Sequence, residues 1–394
     1  MKKRILSIIV LLCLMFSVSA IYSSADTDLP EGDSSTTTGT QPDLGLEVKS
    51  AVLMEPVTGT ILYEMNGQEA LPPASVTKVM TMLLAFEALA NNSIHKDDQV
   101  TISSYAASMG GSQVFLAEGE VMSVDDLLKC MIIASANDAA VALAEHIMGS
   151  EEAFVEKMNM RAGELGMSGA CFENVTGLDD DTENHVLSAM DIAIATQELY
   201  KHPGVFDYSS VWMDTIRDGA FTLSNTNRLI RYYNGATGLK TGSTDKAGFC
   251  ISATAERDGM GLIAVIMGAP TRDIRNAAAK TLFDWGFANY ALYTDPAHTE
   301  ERVPVTKGLT DAVETESKAH TMLVPKSALN KIDRIVSLQG TLQAPVRAGS
   351  EVGTVSYYID GELIGTAPIC AKEDAPAATF WDLFVKMLKI FTFA

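Results

Sequence analysis

Apolar and polar positions change register several times along the 394-residue chain. Residues 5–18 are almost wholly apolar, follow Lys2, Lys3 and Arg4, and close on small residues at Val18-Ser19-Ala20 or Ser23-Ser24-Ala25. That order predicts a cleaved export signal over 1–25, the alternative being an uncleaved N-terminal anchor. Residues 26–45, rich in Ser, Thr, Gly, Pro and Asp, read as a polar tether.

From Val48 onward the pattern is that of a folded domain. "AVLMEPVTGTILYEMN" predicts two short strands around a Pro-Val-Thr-Gly turn. A helix is expected from about Ser75, with Val79, Met82, Leu83 and Phe86 on its core face. A second starts at Ser123, where Ser123 and Asp126 resemble a capping box and Leu127, Leu128, Met131 and Ile132 carry the apolar face. Small and polar residues at "ASANDAA" (134–140) interrupt it and predict a corner between two helices. "GFCISATAERDGMGLIAVIMGA" (248–269) reads as a hairpin turning at Asp258-Gly259, followed by a helix over roughly Asp273 to Trp285.

The expected fold is therefore an α/β (α+β) domain over 46–293, an antiparallel sheet flanked by helices. Short β-prone runs punctuated by Gly and Pro predict a small all-β domain over 294–372. Residues 373–394 end in "FWDLFVKMLKIFTFA", where Asp382, Lys386 and Lys389 share one helical face and apolar residues cover the rest. This predicts an amphipathic helix that lies in a membrane interface; packing back onto the protein is the alternative.

Composition adds exclusions. The formal net charge is −21, and −24 without the first 25 residues, which argues against nucleic acid as a partner. With 47% hydrophobic residues there is material for a sizeable core. Cys130, Cys171, Cys250 and Cys370 are far apart, as expected of buried thiols rather than a disulfide framework.

The chemistry is concentrated in three short motifs. S-x-x-K occurs at Ser75/Lys78, Ser93/Lys96 and Ser243/Lys246, but only Ser75 opens a helix, behind Pro72 and Pro73. On a helix Lys78 reaches back over Ser75, and a helix N-terminus offers N–H groups to a developing oxyanion. Taken alone, the tetrad reads rather as an N-cap Ser75 with a solvated Lys78, and two further clusters reverse that reading. Ser135-Ala136-Asn137, at the corner between helices, places a hydroxyl and a carboxamide toward a cleft, or merely caps a helix. Lys240-Thr241-Gly242 on a strand edge offers a cation, a hydroxyl for a carboxylate, and a position without Cβ where substrate approaches the backbone.

The order S-x-x-K, S-x-N, K-T-G is shared by penicillin-binding proteins and class A β-lactamases. With "PPASVTKVMT", "GSQVFLAEGE", "LLKCMIIASANDAAVALAE", "GLKTGST" and "WGF", residues 46 to 394 resemble the low-molecular-mass penicillin-binding proteins that are serine-type D-alanyl-D-alanine carboxypeptidases. Ala136 stands where glycine is frequent in that family.

The resemblance implies a transpeptidase/β-lactamase-like fold and an extracytoplasmic enzyme at the outer face of the membrane. It implies cleavage of peptidoglycan stem peptides ending in D-Ala-D-Ala, inhibition by β-lactams, and no metal or other cofactor. Ser75 would be the nucleophile, Lys78 its base and Ser135 the proton relay, helped by Lys240. Asn137 would position the peptide, the N–H groups of Ser75 and Ser243 would form the oxyanion hole, and Thr241 with Arg275 would hold the terminal carboxylate. A β-lactamase would carry a deacylating glutamate in an E-x-x-L-N segment, which the chain lacks between its second and third motifs. A non-catalytic wall-binding protein would not be expected to fill every reactive position, and a β-lactam sensor would be expected to carry a transmembrane signalling segment beyond the N-terminal signal.

Overall fold

The computed structural model describes residues 42–393 except residue 181; the expected export signal and most of the tether lie outside the described residues. Five strands form the central antiparallel sheet: β1 (Ser50–Met54), β2 (Ile61–Met65), β3 (Ala236–Thr244), β4 (Gly248–Arg257) and β5 (Met260–Ala269), in the order β2-β1-β5-β4-β3. The β1–β2 turn is held by the Glu55 carboxylate, which accepts from the N–H of Val57 (2.9 Å) and Thr58 (2.7 Å). The β4–β5 hairpin turns at Asp258 (φ 51°) and Gly259 (φ 77°), as the Asp-Gly pair predicts.

Both faces of this sheet are buried, which explains runs that read as continuously apolar rather than alternating. Val52, Met54, Ile263, Val265 and Met267 join one core, while Ala51, Leu53, Leu262, Ala264 and Ile266 join another. On the second face lies the helix Arg272–Asn289, which contributes Ala278, Ala279, Leu282 and Phe283. Burying each of the two larger side chains contributes about 1.5–3 kcal/mol.

The first face carries α1 (Lys78–Ala90), α2 (Val124–Ile133), α3 (Asn137–Met148) and α4 (Ala189–Tyr200), with α5 being Arg272–Asn289 on the other side. The expectation of a single core face on α1 is too modest. Every residue from Lys78 to Phe86 is buried, because α1 packs against α3 and α4 and touches β3. A lysine at its first position therefore has no route to solvent along the helix surface.

Strand Tyr290–Asp295 pairs with His320–Pro325 and so spans the join expected at 293/294. Beyond it, six strands make a second, mostly antiparallel sheet around Val303, Val313, Val355, Tyr357 and Ile369. Its last backbone pairings run to Ala375 and Ala378, which bond Val346 and Lys307, so the final helix, α6 (Phe380–Phe393), starts only after them. Thr379 caps α6, and Asp382, at the third helical position, accepts from the N–H and hydroxyl of Thr379 (2.9 and 2.6 Å).

Candidate active site

Ser75 does not cap a helix. It sits in a 3₁₀ turn, Ala74–Thr77, that runs into α1, with Val76 N–H donating to Pro73 O at 3.2 Å. With three residues per turn, side chains at i and i+3 eclipse, and Lys78 Nζ lies 3.1 Å from Ser75 Oγ. The other two S-x-x-K lysines are elsewhere: Lys96 lies over the Tyr208 ring, and Lys246 follows the end of β3.

Lys78 is fully buried and has three partners: Ser75 Oγ, Asn137 Oδ1 at 2.6 Å and Thr176 O at 2.8 Å. Two of these are carbonyl oxygens that can only accept. The Asn137 orientation is fixed by its Nδ2, which donates to Gly110 O at 2.8 Å. An ammonium satisfies these partners with three N–H bonds; a neutral amine satisfies them with two N–H bonds to the carbonyls and its lone pair accepting from the Ser75 hydroxyl. Burial first, then the neighbouring Lys240 charge, hold Lys78 well below the ordinary lysine range, against an opposing pull from Asp138.

The corner between α2 and α3 is built on Ser135, whose φ of 65° turns the chain sharply and leaves the side chain buried beside β3. Lys240 Nζ donates to Ser135 Oγ and to Thr241 O, both at 2.8 Å. Burial, with Arg275 adding to it, brings Lys240 down to about 7. Side-chain hydrogen bonds thus join Ser75, Lys78 and Asn137 in one group and Ser135 with Lys240 in a second, and Ser75 and Ser135 line the same cleft.

Gly242 faces the serine turn. A Cβ there would stand 2.8 Å from Ser75 N and 2.9 Å from Val76 N. The close approach is made by the protein's own backbone, whereas the sequence suggests an approach by substrate. Thr241 and Ser243 flank Gly242 in the wall of a cleft of ≈ 430 Å³ that also holds Ser75, Ser135 and Arg275. Arg275, on α5, donates to Cys250 O (3.4 Å) and Asn276 Oδ1 (2.9 Å) and lines the cleft without bonding Thr241. Burial lowers its guanidinium to about 10.

A further stretch of the wall was not apparent from the motifs. Ser224, Thr226 and Arg228 line the cleft, and Thr241 Oγ1 donates to Thr226 Oγ1 at 2.7 Å. Between them, the buried Asn225 and Asn227 tie the segment down through Val211 O (2.8 Å) and Gly238 O (2.7 Å). The alternation in "SNTNR" is the signal that could have revealed it. Thr176 contributes only a backbone carbonyl, for which a sequence carries no mark. A larger cavity of ≈ 750 Å³, lined by Tyr105, Glu151, Glu173 and Thr182 among others, contains none of the expected site residues.

A family model described as D-alanyl-D-alanine carboxypeptidase matches residues 35–271, and one for the penicillin-binding protein 5 C-terminal domain matches 295–377. The chain is 44% identical over 347 residues to D-alanyl-D-alanine carboxypeptidase DacF of Bacillus subtilis (strain 168), covering 86% of this chain and 88% of that protein. Penicillin binding protein 5 from Haemophilus influenzae superposes with a TM-score of 0.76 at 32% identity, over 86% of this chain and 99% of that one. Penicillin-binding protein D2 from Listeria monocytogenes, in its ampicillin-bound form, matches with a TM-score of 0.57 at 33% identity, over 62% and 100% of the two chains. With a buried lysine against a serine and matches over both of its domains, the chain belongs to the D-alanyl-D-alanine carboxypeptidase family of serine peptidases.

Proposed function

We propose that this carboxypeptidase removes the terminal D-alanine of peptidoglycan stem peptides through an acyl-enzyme on Ser75. The observation that carries the reading is the fully buried Lys78 Nζ, 3.1 Å from Ser75 Oγ, with two carbonyl oxygens as its other partners. Neutral Lys78 takes the Ser75 proton as Oγ attacks the carbonyl between the two D-alanines. The N–H groups of Ser75 and Ser243 stabilise the oxyanion. Ser135, bonded to Lys240, passes a proton to the leaving amine, whose carboxylate rests on Thr241 near Arg275. Asn137 orients Lys78 and borders the bound peptide. Water then cleaves the acyl-enzyme.

The same serine would be acylated by β-lactams, in keeping with the ampicillin-bound form of the Listeria relative. We read the chain as an export signal (1–25), a tether (26–45), a catalytic domain (46–293), a β domain (294–372) and an anchor (373–394), an order that supports an enzyme working outside the cytoplasm. Among the described residues no helix is long and apolar enough to cross a membrane. Phe380 (74% exposed) and Trp381 (69%) on α6 instead support an interfacial anchor.

The test is D-alanine release from a peptide ending in D-Ala-D-Ala, by the mature chain and by Ser75→Ala. Release by the first and none by the second is expected. Turnover of penicillin without D-alanine release would make the chain a β-lactamase, and neither activity would make it a binding protein.

A further inference from the structure

The residue before Ser75 is held in an unusual conformation. Ala74 has φ 48°, in the left-handed region that a residue with a Cβ avoids. Room for it is made by Gly177, where a Cβ would stand 1.9 Å from the Ala74 carbonyl oxygen. That oxygen accepts from Thr77 Oγ1 at 2.8 Å, and Thr77 Oγ1 lies 2.7 Å from Nε2 of the buried His185.

The polarity of this relay follows from its fixed ends. Glu173 N–H donates to His185 Nδ1 at 3.0 Å, so Nδ1 carries no proton and Nε2 does. Nε2–H then donates to Thr77 Oγ1, whose own hydroxyl proton is left for the Ala74 carbonyl. None of these groups touches the cleft side of Ser75. They act on the turn from behind, through the 172–185 segment, which also supplies the Thr176 carbonyl to Lys78.

We propose that His185 is a positioning residue for the nucleophile: as a neutral imidazole, acting through Thr77, it clamps Ala74 in the left-handed turn that sets Ser75 Oγ against Lys78. This deepens the reading of Ser75 as nucleophile and rests on it. The surroundings favour the neutral ring. Burial pushes His185 down to about 4 and Lys246 adds to this, outweighing the carboxylates of Glu173 and Asp179, while the Phe172 ring packs edge-on against the imidazole. A second proton would place an N–H against the Glu173 N–H and break the relay at its first bond.

The experiment measures, on the full chain, the second-order rate of acylation by benzylpenicillin and the final stoichiometry of label. Thr77→Val replaces one hydroxyl by a methyl of equal size and is expected to slow acylation by about ten- to a hundredfold with full stoichiometry, as for a nucleophile misplaced by a fraction of an ångström. Thr77→Ser restores the hydroxyl and should stay within about threefold of wild type. His185→Leu should behave like Thr77→Val, and His185→Gln, which keeps an N–H donor, should lie between. If His185→Leu does not fold, the Thr77 pair decides alone. Wild-type rate constants in Thr77→Val, or a rate that falls only in proportion to lost stoichiometry, would overturn the proposal, since a merely structural bond changes how many molecules are folded and not how fast each reacts. A wild-type chain that takes no label would instead overturn the Ser75 reading.

Discussion

Lys240 Nζ lies 2.8 Å from Ser135 Oγ, bringing a strand of the sheet and the corner between two helices together across the cleft. The pair is held where water cannot reach Lys240, which is 1% exposed. Its cost and its use are two sides of one arrangement, because burial that destabilises the cation also makes it ready to release a proton.

Lys240→Met should therefore raise thermal stability near neutral pH while lowering kcat/KM for D-Ala-D-Ala release by about 10²- to 10⁴-fold, the usual range for a lost acid–base group. The sign follows from linkage. Lys240 falls from 10.5 to about 7 on folding, so between these values the unfolded chain binds more protons and stability rises with pH. Below about 7 the folded state holds the cation at full cost. The gain from Lys240→Met is thus expected to be largest at acid pH and to vanish toward pH 10, checked by thermal melts across that range.

Thr226→Val tests the stretch of wall beside β3. Its hydroxyl is the partner of Thr241 Oγ1 at 2.7 Å. Removing it leaves the Thr241 hydroxyl unheld and should raise KM for a peptide ending in a free carboxylate by about two- to tenfold, near the worth of one hydrogen bond between neutral groups, with little change in kcat. The same peptide ending in an amide should be cleaved equally by both proteins. Equal losses on both peptides would remove Thr226 from carboxylate recognition.

Gly242→Ala places a methyl 2.8 Å from Ser75 N and 2.9 Å from Val76 N. Backbone on both sides has little freedom to yield, so a loss of about 1–3 kcal/mol in stability is expected from denaturant unfolding. Acylation should slow more than stability suggests, because the strain falls on the residue that bears the nucleophile.

A truncation after Ala378 keeps the pairings of Ala375 with Val346 and of Ala378 with Lys307, and removes α6 alone. Soluble-substrate activity should be unchanged, while co-sedimentation with anionic lipid vesicles should disappear. Cutting at residue 372 removes those backbone bonds as well and should lower the melting temperature of the β domain.

The strands, the hairpin at Asp258-Gly259, the break at Ser135 and the three motifs were legible because each is local: turn residues, periodicity and spacing act over a few positions. Less legible was the surround of α1, which reads as a helix with one apolar face but is buried on every side. The turn at Ser75 was also less legible, since Pro72-Pro73-Ala74 ahead of Ser75 is compatible with an N-cap, and only contact with Gly177 and β3 makes a 3₁₀ turn with a left-handed Ala74 affordable.

By itself the sequence determined which residue types are available and in what order: a serine three positions before a lysine, a serine and an amide at a helix break, and a lysine on a strand edge. Tertiary structure decided their state. Whether Lys78 is a solvated cation or a neutral base depends on Asn137, 59 residues away, on a carbonyl at Thr176, 98 away, and on the exclusion of water by α3 and α4. Electrostatic energies depend on distance and dielectric surroundings rather than on sequence separation, so chemistry of this kind is settled only once the chain has folded.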